Sequence, residues 1–581
     1  MKTLHVLFFI ISLNIVNSQN EIQKTWTTYL LKNNVEITNT IIDNERNVII
    51  TAIVRTQQTE DLTTYSNFTT SGCHQAIPNG GNEAFIAKFS PNGEQLWATF
   101  FGGTQTEFSR YLICDSNNNI YLGCDAKSLT NIATAGSYLS IADFSVFNNN
   151  TFGSLSKFSS TGNLIWSTYI PGDVEFIQLK NDNEIYIGGD SVNNTNLIST
   201  PGSYKEIAPF YVSSISNTGN NSYRYLMKFD GNGNRLAGTY LEKTHAITGF
   251  IFNIDIQGNI ITAFTSFNPT SEATNSTSQQ PTYGGDGDVF IMKMSGDLST
   301  KLWATYYGGS NLDQVNDLIV DGDYFYLVGD TESTTMATTG AFQENLSGTD
   351  KDGFIAKFTT DGTRVWSSYF GGSGRDFLES VVVNDNKLYV AGRTRSSGLA
   401  TLDGFQNNYT PLFTGTFEEY GGLFAQFTLD GARNWSSYFN GGAINSMAFG
   451  DFDGFYLSGY AHAVSNIGTQ GSWQPNFLVD IPINRPYNGF LAKMEFQELN
   501  ITQFNPNDVV IAPNPAQHIL TIAAPVTIQS VEIISSLGQH ITSQSINNVS
   551  GTIDVAALPS GVYFLKISSY NNEQVTKFIK E

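Results

Sequence analysis

The amino-acid sequence predicts an all-β chain, a seven-bladed β-propeller of four-stranded blades closed by terminal strand exchange, followed by a small β-sandwich. Three observations carry that expectation. One hairpin pattern recurs at a regular interval, the signature of a repeat architecture. Two incomplete copies of it stand at opposite ends of the repeated region. The composition also suits strands better than charged helices, with aromatic residues at 13% and charged residues at 14% of 581.

The chain opens with MKTLHVLFFIISLNIVNSQN, which joins the charge of Lys2 to an apolar run from Leu4 to Val16 and then small residues. Residues 1–18 read as a secretion signal peptide cut after Ser18. The apolar run, at about thirteen residues, is too short for a bilayer core that needs about twenty. No later segment reaches that length.

Residues 353–372, GFIAKFTTDGTRVWSSYFGG, give the hairpin in full: two alternating runs flank a Thr-Asp-Gly turn. Copies begin at Ala84, Ser154, Tyr225, Val289 and Leu423. From Asn488 to Phe496 only the first strand is present, and Trp26-Thr27-Thr28-Tyr29 supplies a second strand with no first. The two halves complete one another. The position held by Lys88, Lys157, Lys228, Lys293, Lys357, Gln426 and Lys493 counts seven units, 64 to 71 residues apart. Its lysine is read as an aliphatic stem covering a blade.

A second hairpin precedes each of these, with strands such as IYLGCD from Ile120, FYLVGD from Phe325 and LYVAGR from Leu388. Two hairpins make a four-stranded blade. Exchange between the chain ends would leave no blade short of a strand or with an exposed edge. The third unit has Leu236 in place of Trp, which predicts a loosened outer strand. Gly340-Ala341-Phe342-Gln343, Gly404-Phe405-Gln406 and Gly471-Ser472-Trp473-Gln474 mark loops between strands, and the longer stretches 191–221 and 265–287 are where this chain is most individual.

The Trp-[Ser/Ala]-[Ser/Thr]-Tyr-Phe-Gly-Gly element, Tyr-x-x-Gly and Gly-Ala-Phe-Gln resemble the bacterial SBBP repeat family of β-propellers over roughly residues 20 to 496. The resemblance implies a fold and extracellular use, with no common activity or ligand. The propeller is expected over 19–496 and a polar linker over 497–508.

A new domain is expected over 509–581. It opens with Pro513-Asn514-Pro515, turns at Gly538, carries Gly561 and Tyr563 in a Gly-x-Tyr-x-Leu-like strand, and ends on the basic Lys577 and Lys580. In order and spacing these resemble the type A C-terminal sorting domain of type IX secretion substrates of Bacteroidota. The resemblance implies a partner, the type IX secretion machinery, passage through the periplasm and across the outer membrane, removal of the tail, and cargo that is attached to surface lipopolysaccharide or released.

A net charge of −22 opposes binding to nucleic acid or anionic membranes. Zinc, nucleophile-elbow and phosphate-loop motifs are missing from the sequence. No catalytic, cofactor or metal residue is therefore assigned, and no cofactor is expected. His74, His245 and His462 are too scattered to suggest a metal cage. Asp230-Gly231-Asn232-Gly233-Asn234 imitates a calcium loop but occupies a hairpin-turn position. Cys73, Cys114 and Cys124 read as free thiols, with Cys114–Cys124 as the one alternative pairing.

Glu107, Asp313 and Asp376 follow Gly-Gly pairs at equivalent places, and would approach one another if that loop faced the channel. Paired carboxylates suit glycoside hydrolysis; repetition alone also supplies them as structural turn residues. Trp473 and Tyr420 are candidate sugar-stacking rings, though most rings here should pack between blades. The expected function is an exported, non-enzymatic interaction or adhesion platform for a glycan or a surface protein. The alternatives are an extracellular polysaccharide hydrolase or lyase using Asp313 and Asp376, and a structural surface-layer component.

Overall fold

The computed structural model describes residues 21–57, 60–142, 152–191, 195–208, 222–244, 249–267, 273, 279–348, 350–450, 454–462, 465–480, 483, 485–497, 509–569 and 572–581. The expected signal peptide and linker, His245, and much of the two long loop stretches lie outside the described residues. The chain divides into two compact units, one over Glu21–Phe496 and one holding the C-terminal residues from Gln497.

Among the described residues the larger unit contains seven four-stranded sheets, antiparallel in every described pairing, with strands that follow the chain. The first is built from Val35–Ile42, Val48–Arg55, Asn82–Phe89 and Gln95–Phe101. The fifth is built from Asp313–Asp321, Tyr324–Thr331, Asp352–Thr359 and Arg364–Phe370. The seventh departs from chain order: Ala443–Gly450, Gly454–His462 and Tyr487–Gln497 take their fourth strand from Glu21–Leu30. The third sheet keeps all four strands, and Arg235–Thr244 pairs from Phe229 to Ser222 with two breaks in register. The outer strand expected to loosen there carries an extra irregularity opposite Tyr223 and Tyr225 that the equivalent pairings of the other described sheets lack, while Tyr240 stays in the core and Leu236 is half exposed.

Neighbouring sheets are joined by one repeated contact. The turn of the hairpin closes as Ser90 N–H donating to the Glu94 carbonyl at 2.8 Å, with Gly93 at φ +84° making the bulge that re-enters the strand. The indole of Trp26, from the seventh sheet, donates to the Pro91 carbonyl in that turn at 3.2 Å and lies flat against Gly93. The same arrangement joins Trp97 to Ser160 and Gly162, Trp166 to Gly231 and Gly233, Trp303 to Thr360 and Gly362, and Trp366 to Leu429 and Gly431. At each of these glycines a Cβ would come within 2.7 to 3.1 Å of the indole.

Where Leu236 replaces the tryptophan, the facing turn of the fourth sheet also lacks its glycine. Leu298 takes the left-handed position at φ 63° and is fully buried among neighbours that include Tyr204. Buried isoleucine, valine, phenylalanine and tyrosine from adjoining sheets fill the space inward of these turns.

The repeated lysine was expected to act through its stem. In three units its ammonium also forms a buried ion pair with a turn aspartate, Lys88 with Asp43 at 2.6 Å, Lys157 with Asp115 at 3.2 Å and Lys293 with Asp255 at 2.6 Å. Each of these aspartates also organises its own turn, as Asp43 does by accepting the amides of Glu45 and Asn47.

All three cysteines are free thiols. Cys114 lies opposite Ile120 and Cys124 opposite Ser109, so the strand register keeps them apart.

The strands of the C-terminal unit form one hydrogen-bonded path that folds over on itself: Ala516, just past the first strand, bridges Lys580 of the last, and Leu520, Val531, Leu565 and Phe578 pack into one core. Its strand Ile519–Ser535 is long enough to pair with Val510–Ala512 near its start, with Gly561–Ser569 near its end, and with His540–Asp554 along both stretches. Asn572–Lys580 completes it beyond Gly561–Ser569.

The Trp–Gly contact yields a comparison. Gly362→Ala combines a left-handed backbone with a clash against Trp303, whereas Gly340→Ala has φ +81° and open space around it. The first should lower the urea unfolding midpoint clearly more, by an extra ~1–3 kcal/mol of overpacking. Equal midpoints for the two variants would show that the indole contact contributes nothing.

Candidate functional site

The first strands of all seven sheets line one cavity of about 600 Å³. In five of them a β-bulge places an extra residue at the same level: Thr38, Arg110, Asn316, Glu379 and Asn445. The next residue ties each sheet to its neighbour. Asn39 accepts the Leu112 amide at 3.2 Å, Asp317 that of Val381 at 2.8 Å, Ser380 that of Met447 at 3.3 Å, and Ser446 that of Thr40 at 3.1 Å. Between the second and third sheets Tyr111 packs on Phe176, with ring centroids 4.0 Å apart.

Glu107, Asp313 and Asp376 do not converge on this cavity; none of them lines it, and each is fully buried as the opening residue of the first strand of its sheet. Asp313 accepts from Gly309 N–H at 2.7 Å, from Ser333 at 3.0 Å and from the Thr331 hydroxyl. Asp376 repeats this with Gly372, Ser396 and Thr394, and Glu107 accepts from the amides of Gly103 and Ser128. The Gly-Gly pair is thereby explained. A Cβ on Gly308 would sit 2.7 Å from both Asp288 and Asp313, and one on Gly309 would meet Ser333.

The glutamine of the loop marker completes the same knot. Gln343 donates to Asp352 at 3.0 Å and accepts from Gly371 N–H at 3.2 Å. Gln280 does the same between Asp288 and Gly308. With no cation in these knots, burial pushes Asp313 and Asp352 up to about 7, Asp288 to about 6 and Glu83 to about 8.

Asp173, Glu175 and Asp190 form another carboxylate group, with one oxygen of each within 4.8 Å of the others. Arg224 reaches into it, 2.9 Å from Glu175 and 3.2 Å from Asp190, with its side chain almost wholly buried. The guanidinium takes the place a metal ion would need. The calcium-like segment is the hairpin turn that receives Trp166: Asp230 accepts the amides of Asn232 and Asn234, both at 2.9 Å.

Of the two candidate rings, Trp473 packs into the core on Phe89 and Phe68. Tyr420 does not. It lines a second cavity of about 440 Å³ together with Arg393, Arg395, Arg485, Tyr460, Tyr487, His462, Glu36 and Glu419. Arg395 stacks on the Tyr420 ring at 3.9 Å and Arg393 lies 5.4 Å from it. Glu419 is held by Arg485 through two bonds of 2.9 and 2.6 Å and by His462 at 3.0 Å. Burial lowers the His462 pKa, against the pull of Glu419.

Sequence reasoning singled out Tyr420 and missed the arginines. A signal was present: Asp125, Asp190 and Asp330 share one repeat position, and the sixth unit carries Arg393 there.

In the C-terminal unit Asn514 accepts the Ile579 amide at 2.9 Å and donates to the Lys577 carbonyl at 3.3 Å, so the Pro513-Asn514-Pro515 turn is fastened to the last strand. Gly538 makes a turn at φ +80°, and Gly561 begins a strand. Tyr563 stacks on Phe578 and donates to the Pro559 carbonyl at 2.9 Å. Lys577 is exposed, while Lys580 is buried beside the terminal Glu581. Residues 510–581 match the family described as Secretion system C-terminal sorting domain.

The tail is a type IX secretion sorting domain. It marks the protein for the cell surface or the medium and implies contact with the type IX machinery. No helix among the described residues is long and apolar enough to cross a membrane. A search of curated proteins found no match. Among solved structures the chain is similar to a phage phi92 endosialidase, at 9% identity and TM-score 0.36, covering 96% of this chain and 87% of that one. It is also similar to PorZ, a surface component of the type IX secretion system of Porphyromonas gingivalis, at 10% identity and TM-score 0.20 over 94% and 81%. A DUF4221 member from Bacteroides vulgatus is similar at 9% identity and TM-score 0.29 over 82% and 99%. Likenesses this distant carry no argument about ligand or activity.

The raised carboxyls set a pH dependence. Their folded values lie above the ordinary carboxylate range near 4, so the native protein holds more protons than the unfolded chain between about pH 4 and 8. Stability from this source is complete below that window and is lost as pH rises through it. Asp43 and Asp255 act oppositely: burial is outweighed by their lysine and asparagine donors, their values are lowered, and their contribution fades only in acid. Thermal unfolding should therefore have a higher midpoint at pH 5.5 than at pH 8.5, and Asp313→Asn should flatten the slope. A profile unchanged by that variant would count against the protonated loop.

Proposed function

We propose that the chain is an exported β-propeller, held at the cell surface or secreted, that acts as a non-enzymatic platform for interaction or adhesion. In this reading residues 1–18 are a signal peptide, 19–496 a propeller of SBBP-type repeats, 497–508 a linker, and 509–581 the sorting domain. The seven sheets are seven blades, and Glu21–Leu30 closes the ring by joining the last of them. Seven four-stranded sheets around one cavity, and the Ser446–Thr40 bond between the last sheet and the first, support that closure.

The observation that carries the functional reading is the sorting domain joined to a repeat unit whose recurring carboxylates are committed to its own loops. A hydrolase working through Asp313 and Asp376 would need those groups at a cleft, free to meet a glycosidic oxygen. Both are fully buried and take at least three donors each. Within the tail, Pro513, Asn514, Pro515, Gly538, Gly561, Tyr563, Lys577 and Lys580 form the sorting motif. Asn514 and Tyr563 maintain its shape, and Lys577 is the exposed basic group available to the secretion machinery.

Two outcomes are expected. Deletion of 509–581 should leave the protein in the periplasm, absent from surface and medium on fractionation and immunoblotting; normal export of the truncated chain would refute the sorting role. A glycan array with product analysis in parallel should give binding without cleavage. Sugar cleavage abolished by Asp313→Asn or Asp376→Asn would replace the platform with the hydrolase.

A further inference from the structure

We propose that the cavity bounded by Arg393, Arg395 and Tyr420 binds the anionic group of an acidic glycan, a carboxylate or sulfate, through the two guanidinium groups. This rests on the platform reading and names the ligand class and the place.

The argument is one of unmet valence. Around this cavity the acidic side chains already have cations: Glu419 is gripped by Arg485, and Glu36 lies 3.2 Å from Arg55. Arg393 has a counterion in Glu379, at 2.9 Å. Among the described residues Arg395 has none. Its guanidinium rests on the Tyr420 ring, and its Nε–H is buried without an acceptor. The Nε–H of Arg393 is buried without an acceptor as well.

Both guanidinium groups line the cavity, that of Arg395 without a counterion among the described residues, and a planar oxyanion is the partner whose geometry a guanidinium matches best. Arg393 stands where three sister units carry aspartate, so in a chain of net charge −22 this unit exchanges an acid for a base beside the unpaired Arg395.

A sugar is favoured as the bearer of the anion by the rings around it. Tyr460 and Tyr487 form part of the wall. A short hairpin, Leu412–Thr414 with Phe417–Glu419, stands beside it and is the only two-stranded sheet among the described residues. Phe413 and Phe417 on that hairpin are exposed, and Arg485 lies over the Phe417 ring at 4.6 Å. A cavity of about 440 Å³ suits a saccharide unit or two rather than a folded partner.

The test uses the full chain in titrations with polygalacturonate, heparin, neutral dextran and polyglutamate, with product analysis of each mixture. Binding of polygalacturonate or heparin is expected, without binding of dextran or polyglutamate, and Arg395→Ala should weaken it about ten- to hundredfold. Preference for polygalacturonate would identify a carboxylate as the anion, and preference for heparin a sulfate. If Arg395→Ala does not fold, free glucuronate or sulfate should still displace the bound polymer from the unmodified protein, and free glucose should not.

The inference is overturned if no acidic polymer binds, if dextran or polyglutamate binds equally well, if the folded Arg395→Ala variant binds unchanged, or if neither free anion displaces the polymer. Any of these leaves the platform itself standing; that reading falls separately, on release of cleaved sugar.

Discussion

The contact between a tryptophan of one sheet and a left-handed glycine of the next underlies the arrangement of the larger unit. A β-sheet of four strands buries neither face by itself, so each sheet depends on its neighbours for the driving force that keeps it folded. The indole supplies a flat apolar surface and one directed hydrogen bond, aimed at a carbonyl in the adjoining turn. The turn must then present a bare Cα and a positive φ together, which only glycine does without strain. The exception follows the same logic: where the indole is lost at Leu236, the facing position becomes Leu298, which keeps the left-handed backbone and buries its own side chain.

This dependence accounts for the remaining repeated letters. The Gly-Gly pair is squeezed between carboxyls of adjacent sheets, the glutamine of the loop marker bridges one carboxyl to the peptide of the first glycine, and in three units the lysine neutralises a turn aspartate. Residues that look like acids and bases available for chemistry are thus members of closed internal networks. Their burial is the reason several carboxyls hold their protons near neutrality.

The sites that escape the repeat are the ones with surplus bonding capacity. Near the second and third sheets the acidic group Asp173, Glu175 and Asp190 is satisfied from within by Arg224. Near the sixth and seventh the polarity reverses, and Arg395 is left facing a cavity with a tyrosine ring as its support. A repeat fold acquires individuality this way, by exchanging a few side chains at one end of otherwise equivalent strands.

Much of the fold was legible because the determinants are local and periodic: Trp303, Gly362 and Lys357 announce their unit by spacing alone, and Trp26 without a partner strand announced where the chain ends meet. The tail was legible in the same way from Asn514, Gly538 and Tyr563. The site was not. Tyr420 and Trp473 are equally prominent in the sequence, yet Trp473 enters a core and Tyr420 lines a cavity, since that choice depends on what the neighbouring sheet places opposite. Glu107, Asp313 and Asp376 likewise sat at equivalent positions, and only their donors decided that they serve the loops between sheets. By itself the sequence determined strand order, repeat number and the tail, all consequences of pattern along the chain. The tertiary structure decided which polar groups are satisfied and which face open space, because hydrogen-bond partners hundreds of residues apart are set by packing rather than by spacing.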